Sequence, residues 1–305
     1  MIMIVSIAHA DADGVISTAL FLKKFSAQKI YFTSAAKFRD IICSSIIGNE
    51  NLNELYVFDI APNEKTFLLS SLYEKVFWFD HHVWQVKSKF KNIKVFVDEK
   101  AKSCSEIVAK VFGIESELVD LANQIDVNEV KTEEAKFLRD LIGAIRWKYS
   151  GALLVSKLRA VAKSLSSHGI EKFEQDEKFA ELINSFNSFC EKVEKEVEKR
   201  IKIFEMNGKK VAVYETMENV PIFLIANKLA QHPNKPFDVI AVIMHRLNFL
   251  TKKISTKIEL RTQTQQDVYE IAKFFGGGGH KQAAGATINE FLTSDKLLEI
   301  LRGFL

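Results

Sequence analysis

Long apolar runs, cysteine, proline and net charge are all scarce in this 305-residue chain, and each scarcity excludes something. No stretch approaches the ~18 consecutive uncharged apolar residues that a membrane-spanning helix needs, so no transmembrane segment is expected. The three cysteines, Cys43, Cys104 and Cys190, are odd in number and far apart. They exclude a cysteine-based zinc site and fit reduced thiols in a cytoplasm. The N-terminal MIMIVSIAHADADG has no basic segment and turns acidic too soon for a signal peptide. A cytoplasmic protein without membrane contact is therefore expected. With 42 basic against 39 acidic residues the formal net charge is only +3, which lacks the basic footprint of a protein that grips long nucleic acids by bulk electrostatics. Four prolines stand against 24 phenylalanines, and the phenylalanines read as core filling with a smaller supply of stacking faces.

What is present describes a folded chain. Apolar residues make up 47% and charged residues 27%, which excludes disorder and allows two domains or one large one. The first hundred residues alternate strand-like apolar runs with helix-like segments, the pattern of an α/β domain. Strands are expected at 2–8, 30–33, 55–58, 76–79 and 93–97, and their near-continuous hydrophobicity suits a parallel sheet buried on both faces. Helices are expected at 105–111, 118–125, 132–145 and 152–165. A long helix follows in which Phe179, Leu182, Ile183, Phe186, Phe189, Val193, Val197, Ile201 and Phe204 fall at helical spacing. Its charge run EKVEKEVEKR reads as a solvated face. After Asn207-Gly208 a second α/β pattern begins, with strands at 211–214, 239–244 and 254–260 and helices at 221–229, 267–274 and 294–301. The expected fold is α/β with two lobes, a parallel-sheet domain at 1–165 and a smaller α/β domain at 207–305, joined by a helical connector at 166–206.

The first strand runs into His9-Ala10-Asp11-Ala12-Asp13-Gly14. In an extended segment residues i, i+2 and i+4 point to one side, so His9, Asp11 and Asp13 are expected to converge as metal ligands. Gly14 would permit a tight turn into a helix at 15–25. The plainer alternative is that the acids merely cap that helix. Two further strands end in Val57-Phe58-Asp59 and in Phe77-Trp78-Phe79-Asp80-His81-His82. Charged groups gathered at the rim of a buried sheet must pair or coordinate a cation. Carboxylates and imidazoles without cysteine suit Mn²⁺, Mg²⁺ or Fe²⁺ better than structural zinc.

These motifs resemble those of the DHH phosphoesterase superfamily, which includes RecJ-type exonucleases, nano-RNases that also act on 3′-phosphoadenosine 5′-phosphate, cyclic-dinucleotide phosphodiesterases and the more distant family II inorganic pyrophosphatases. His9 to Gly14 looks like the first motif, Val57-Phe58-Asp59 the second, and Asp80-His81-His82 the one that names the family. A fourth family aspartate is matched best by Asp126 in LANQIDVN, with Asp120 as its competitor. Phe275-Gly276-Gly277-Gly278-Gly279-His280 looks like the glycine-rich signature of the associated C-terminal subdomain.

The resemblance implies two divalent metals, Mn²⁺ ahead of Mg²⁺, that activate water for in-line attack on phosphorus. One would take His9, Asp11 and Asp59, the other Asp13, Asp59, His81 and Asp126, with Asp59 shared. Asp80 would orient His81, and His82 would act catalytically on the phosphoryl oxygens. Ser17, Ser103 and Cys104 are expected to be bystanders. Gly277, Gly278, Gly279 and His280 would cradle phosphate, and Arg261 matches an arginine that precedes the glycine motif. His168, His232 and His245 have no motif company and read as surface or core histidines. A cleft between the lobes is expected to close over the substrate.

The function this implies is hydrolysis of short single-stranded oligonucleotides to nucleoside 5′-monophosphates, with phosphatase activity on 3′-phosphoadenosine 5′-phosphate. Such nucleotides are the expected partners, and self-association as a homodimer is left open. A cyclic or linear dinucleotide phosphodiesterase is the nearest alternative. A catalytically silent nucleotide-binding module is the alternative of another class.

Overall fold

In the computed structural model, which describes residues 2–47, 51–174, 176–218, 220–248 and 252–305, the alternation read in the sequence becomes two compact units, Met1–Phe186 and Asn187–Leu305. All candidate site residues lie among the described residues.

The N-terminal unit is built on strands β1 (Ile4–His9), β2 (Lys29–Thr33), β3 (Glu54–Phe58), β4 (Lys75–Asp80) and β5 (Ile93–Val97). They form a parallel sheet in the order β2-β1-β3-β4-β5. In such an order the chain leaves β1 to one side for β2 and returns to the other for β3. The crevice beyond the C-terminal ends of β1 and β3 is the switch point where α/β sheets place ligands. Helices α1 (Ala12–Leu22), α2 (Phe38–Ile47), α3 (Glu64–Ser70), α4 (Cys104–Phe112), α5 (Leu118–Asp126), α6 (Glu133–Lys148), α7 (Gly151–His168) and α8 (Glu171–Glu174) follow the strands.

Helix α1 is buried from Ala12 to Phe21 and packs against α4, α5 and α7, so nothing on it faces water until its last turn. Phenylalanines do much of the filling. Phe21 meets Phe25, Tyr56, Phe58 and Phe112 at centroid distances of 4.6–6.4 Å, close enough for offset and tilted ring packing. Caps fix the helix starts: Asn63 and Thr66 form a capping box on α3, and Ser103 and Thr132 cap α4 and α6.

Helix α9 (Glu177–Arg200) passes from one unit to the other. Leu182, Ile183, Phe186, Val193 and Val197 are its buried stripe. It ends at Arg200, so Ile201 and Phe204 do not continue it. Phe204 belongs instead to β6 (Lys202–Met206), which turns through Asn207 and Gly208, both at positive φ (51° and 75°), and pairs antiparallel with β7 (Lys209–Thr216). Asn-Gly is the dipeptide that suits a two-residue hairpin turn, and this local signal outweighs the helical spacing.

The C-terminal unit continues with α10 (Ile222–Ala230), β8 (Val239–Asn248), β9 (Lys253–Arg261), α11 (Val268–Phe274), β10 (Gly278–Gly279), β11 (Ala283–Ile288) and α12 (Ser294–Leu301). Its sheet runs β10-β11-β9-β8-β7-β6, and only β7 and β8 pair in parallel. One face packs Val211, Val213, Ile258 and Leu260 against Ile271 of α11 and Leu297 of α12. Among the described residues, no helix is long and apolar enough to cross a membrane.

Candidate metal centre

Strand β1 ends at His9 and α1 begins at Ala12, with Asp11 as its N-cap. The Asp11 carboxylate accepts from the Gly14 N–H at 3.1 Å. The run from His9 to Asp13 is therefore not one extended segment, and its three side chains divide. His9 Nδ1 contacts Asp11 Oδ2 and lies 3.5 Å from Asp59 Oδ2. Asp13, buried in the first turn of α1, reaches instead to the start of α4. There it accepts from the backbone N–H of Cys104 at 2.6 Å and of Ser105 at 2.9 Å, and from Ser105 Oγ at 2.6 Å. The first N–H groups of a helix lack intrahelical partners and sit at its positive end, so a carboxylate is well placed there. Gly14 is needed for space rather than for a turn: a Cβ on it would stand 2.1 Å from the His9 carbonyl oxygen.

Asp59 follows the last residue of β3 with φ 59°. Its N–H donates to the Phe79 carbonyl of β4 at 2.9 Å. Asp and Asn are the non-glycine residues that tolerate this left-handed backbone best, and the bend turns the carboxylate across the sheet rim. While Oδ2 faces His9, Oδ1 lies 3.5 Å from His81 Nε2 and 3.7 Å from His82 Nδ1. His81 Nε2 is also 3.4 Å from Asp126 Oδ2 and 3.9 Å from Asp13 Oδ2. Among the donor groups that result are His9 with Asp11 and Asp59, Asp13 with His81 and Asp126, and Asp59 with Asp80 and His82, each with ligand atoms within 4.8 Å of one another; the first two are the ones the sequence motifs anticipate. The structure brings Asp126 to this cluster. It turns Asp120 to Gln124, whose Nε2 donates to it at 2.6 Å. We expect Asp126→Ala to lower Mn²⁺ affinity, read by thermal shift against metal concentration, and Asp120→Ala to leave it unchanged.

Asp80 meets both histidines that follow it. Its carboxylate accepts from His82 Nδ1 at 2.7 Å, from Trp84 Nε1 at 2.6 Å and from the His81 N–H at 2.9 Å, while the His81 ring sets Nδ1 3.4 Å from the Ala101 carbonyl oxygen. Asp80 is fully buried, and these donors keep its carboxyl below the usual carboxylate range although burial alone would raise it.

The electrostatics test whether this donor set suits a cation. Burial and then the Asp59 charge push Asp13 up to about 7. Burial followed by Asp13 and Asp59 hold Asp126 well above the usual range. Burial works against a charged imidazole, yet Asp11 and Asp59 raise His9 to about 10, and Asp59, Asp126 and Asp13 raise His81 to about 10. Asp80 likewise lifts His82 to about 9 against its burial. Carboxylates that repel one another and imidazoles that hold protons at their expense mark a place where positive charge is wanted. With nitrogen and oxygen donors and no sulfur, the residues fit divalent cations.

In the C-terminal unit Arg261 pairs with Ala283 in register, and His280 exchanges backbone hydrogen bonds with Ala283 (2.7 and 3.2 Å), so the arginine and the glycine segment meet. The glycines are not a loose loop. A Cβ on Gly277 would stand 2.1 Å from the Gly285 carbonyl oxygen and one on Gly279 2.5 Å from that of Ala283, whereas Gly278 has open space. Gly277 and Gly279 let β10 lie against β11, which leaves Gly278 as the open position of the three.

Several contributors escaped the sequence reading. Ser17, Ser103 and Cys104, which the chemistry does not need as nucleophiles, support the site: Ser103 caps α4, Cys104 gives Asp13 its N–H, and Ser17 Oγ lies 3.4 Å from Asp13 Oδ1. The pattern Ser103-x-x-Glu106, a helix-start signature, marks this helix start. Trp84 carries no motif signal. Nor does Arg146 of α6, whose charge joins His9 in holding Asp11 below its ordinary range against burial.

Residues 207–305 match the DHHA1 domain family, and they follow a unit that carries the three acidic and histidine motifs at adjacent strand ends. The C-terminal unit therefore contains a DHHA1 domain. A comparison with curated proteins finds no match. Among solved structures, the chain is similar to the pGpG-specific phosphodiesterase PggH from Vibrio cholerae (14% identity, TM-score 0.58, covering 99% of this chain and 98% of that one). It is also similar to an exopolyphosphatase-related protein from Bacteroides fragilis (14%, 0.55, 99% and 90%) and to RecJ in complex with Mn²⁺ from Thermus thermophilus (15%, 0.56, 99% and 51%). At such identities the likeness shows the fold alone.

Proposed function

We propose that the chain is a two-metal phosphodiesterase that hydrolyses short single-stranded oligonucleotides to nucleoside 5′-monophosphates and removes phosphate from 3′-phosphoadenosine 5′-phosphate. The observation that carries this reading is the placement of Asp59 between two donor groups at the switch point of a parallel sheet. His9, Asp11 and Asp59 would hold one divalent cation and Asp13, Asp59, His81 and Asp126 the other, Mn²⁺ ahead of Mg²⁺. Bound cations supply Lewis acidity toward phosphoryl oxygens and a water of lowered pKa.

The remaining work falls to side chains. The His82 ring is anchored through Nδ1 on Asp80, and its Nε2 would donate to a phosphoryl oxygen. Trp84 holds the other Asp80 oxygen, and Trp84→Phe should keep the ring packing against Phe67 and Trp78 while losing that donor. A hydrogen bond to a charged group is worth about 1.5–3 kcal/mol, so kcat should fall about tenfold with KM little changed, measured by steady-state kinetics. Arg261, Gly278 and His280 are the groups assigned to grip the rest of the substrate. Arg261→Ala should mainly raise KM.

The modest net charge of +3 supports a short substrate over a long strand. A second reading, hydrolysis of a linear dinucleotide, draws on the PggH likeness, which spans nearly both chains. A panel of dinucleotides, 3- to 5-mers, long single strands, cyclic dinucleotides and 3′-phosphoadenosine 5′-phosphate, assayed with Mn²⁺ and with Mg²⁺, tests both. Turnover across 2- to 5-mers supports the first reading, and turnover confined to dinucleotides supports the second. Nucleotide binding without metal-dependent hydrolysis contradicts both and returns the chain to a silent binding module.

A further inference from the structure

The C-terminal unit carries a cavity that the proposed chemistry does not use. It has a volume of about 570 Å³, and its walls include Lys199, Arg200, Lys202, Met217, His245 and Phe291. Register places it away from the glycine segment. Arg261 lies opposite Ile240, whereas His245 lies opposite Thr256, five residues along the same strand pair, which at about 3.4 Å per residue is roughly 17 Å. Alternation also separates the faces. Ile258 and Leu260 join the core under α11 and α12, so Arg261 lies on the opposite face, while Val213, part of that core, lines the cavity.

The chemistry of the walls is specific. Lys199 and Lys202 are exposed and make no ion pair among the described residues. Arg200 between them is pinned, with Nη2 donating to the Glu215 carbonyl at 2.9 Å and its guanidinium 5.3 Å from the Tyr214 ring centre. Beside these cations two large apolar side chains stay open, Met217 at 63% and Phe291 at 53% exposure. Phe291 rests on the buried His245 ring, centroids 4.3 Å apart. That ring is fixed through Nε2 on Glu215 (2.8 Å) and Nδ1 against Thr256 Oγ1 (3.1 Å), and Glu215 in turn accepts from Ser294 N–H and Oγ. A scattered exposed phenylalanine needs no explanation. An open aromatic face on a rigid floor, next to two unpaired lysines in a cavity of small-molecule size, does.

We infer that this cavity binds a nucleoside monophosphate, with the phosphate on Lys199 and Lys202 and the base on Phe291 and Met217. Lysine ammonium groups suit a phosphate as point charges, and base-on-aromatic stacking is tolerant of sequence. The site lies wholly in the C-terminal unit and stands whether or not the chain is a hydrolase.

Isothermal titration of 5′-AMP into the full chain with EDTA present tests the site. In an Arg261→Ala background, which weakens the other nucleotide-binding position, AMP should still bind with one equivalent. Adding Lys199→Glu and Lys202→Glu should weaken it at least about tenfold. Phe291→Ala should weaken AMP but not inorganic phosphate. Because all three side chains are exposed the variants should fold, which a circular-dichroism melt checks. No AMP binding in the Arg261→Ala background, or binding indifferent to the lysine pair, overturns the site. Equal loss of AMP and phosphate in Phe291→Ala overturns the nucleotide assignment.

Discussion

Asp59→Asn should leave a folded protein that turns over substrate at least about a thousandfold more slowly, about 4 kcal/mol in the barrier. Asparagine is the right probe because it tolerates the φ of 59° that Asp59 adopts, so the substitution removes charge and spares the backbone. That charge serves both donor groups at once: Oδ2 faces His9, and Oδ1 faces His81 and His82. Among the described residues no other carboxylate does both. The same charge adds to the burial that pushes Asp13 and Asp126 up, but it also holds protons on His9 and His81, so its loss has opposing effects and the two metal-free melts should lie close together. With Mn²⁺ the variant should melt below the wild type, since a cation that binds only the folded state stabilises by mass action and the variant would have lost its shared ligand. Thermal melts with EDTA and with Mn²⁺, alongside kcat, check both outcomes.

Gly14→Ala should damage both the fold of the N-terminal unit and its cation sites. Its Cβ would stand 2.1 Å from the His9 carbonyl oxygen and 2.9 Å from the His9 nitrogen, both backbone atoms of a central strand that cannot yield. Helix α1 cannot move away either, because it is buried from Ala12 to Phe21. Relief must come from the turn that separates Asp11 from Asp13, the two acids that serve different donor groups. Overpacking of this kind costs about 1–3 kcal/mol, and we expect a loss near the upper end together with at least about tenfold weaker Mn²⁺ binding. Chemical denaturation and a metal titration measure the two effects, and a variant with wild-type values in both would show that the turn adapts.

The sequence made the sheet legible because buried parallel strands are continuous apolar runs, and Val57-Phe58-Asp59 or Phe79-Asp80-His81 announces an acid at the tip of each. It was less informative where partners come from distant segments. Asp11 and Asp13 are two residues apart, yet one caps α1 and the other meets Ser105, 92 residues on. No local periodicity encodes that. Motif position pairs Asp80 with His81, and the strand ends at Asp80, so no periodicity shows that its carboxylate also takes the His82 ring. Phe204 fell at helical spacing by coincidence, and the Asn207-Gly208 turn decided its strand. Strand β11 went unread because Ala283-Ala284-Gly285-Ala286 lacks the β-branched residues that mark strands. Small residues are what its close approach to Gly277 and Gly279 requires.

The central claim is that one carboxylate joins two cation sites, and counting bound metal tests it most directly. Equilibrium dialysis of the full chain against Mn²⁺, with elemental analysis of the protein fraction, should find two equivalents per chain in the wild type and fewer than one in Asp59→Asn. A single equivalent in the wild type, or two retained by Asp59→Asn, would contradict the account.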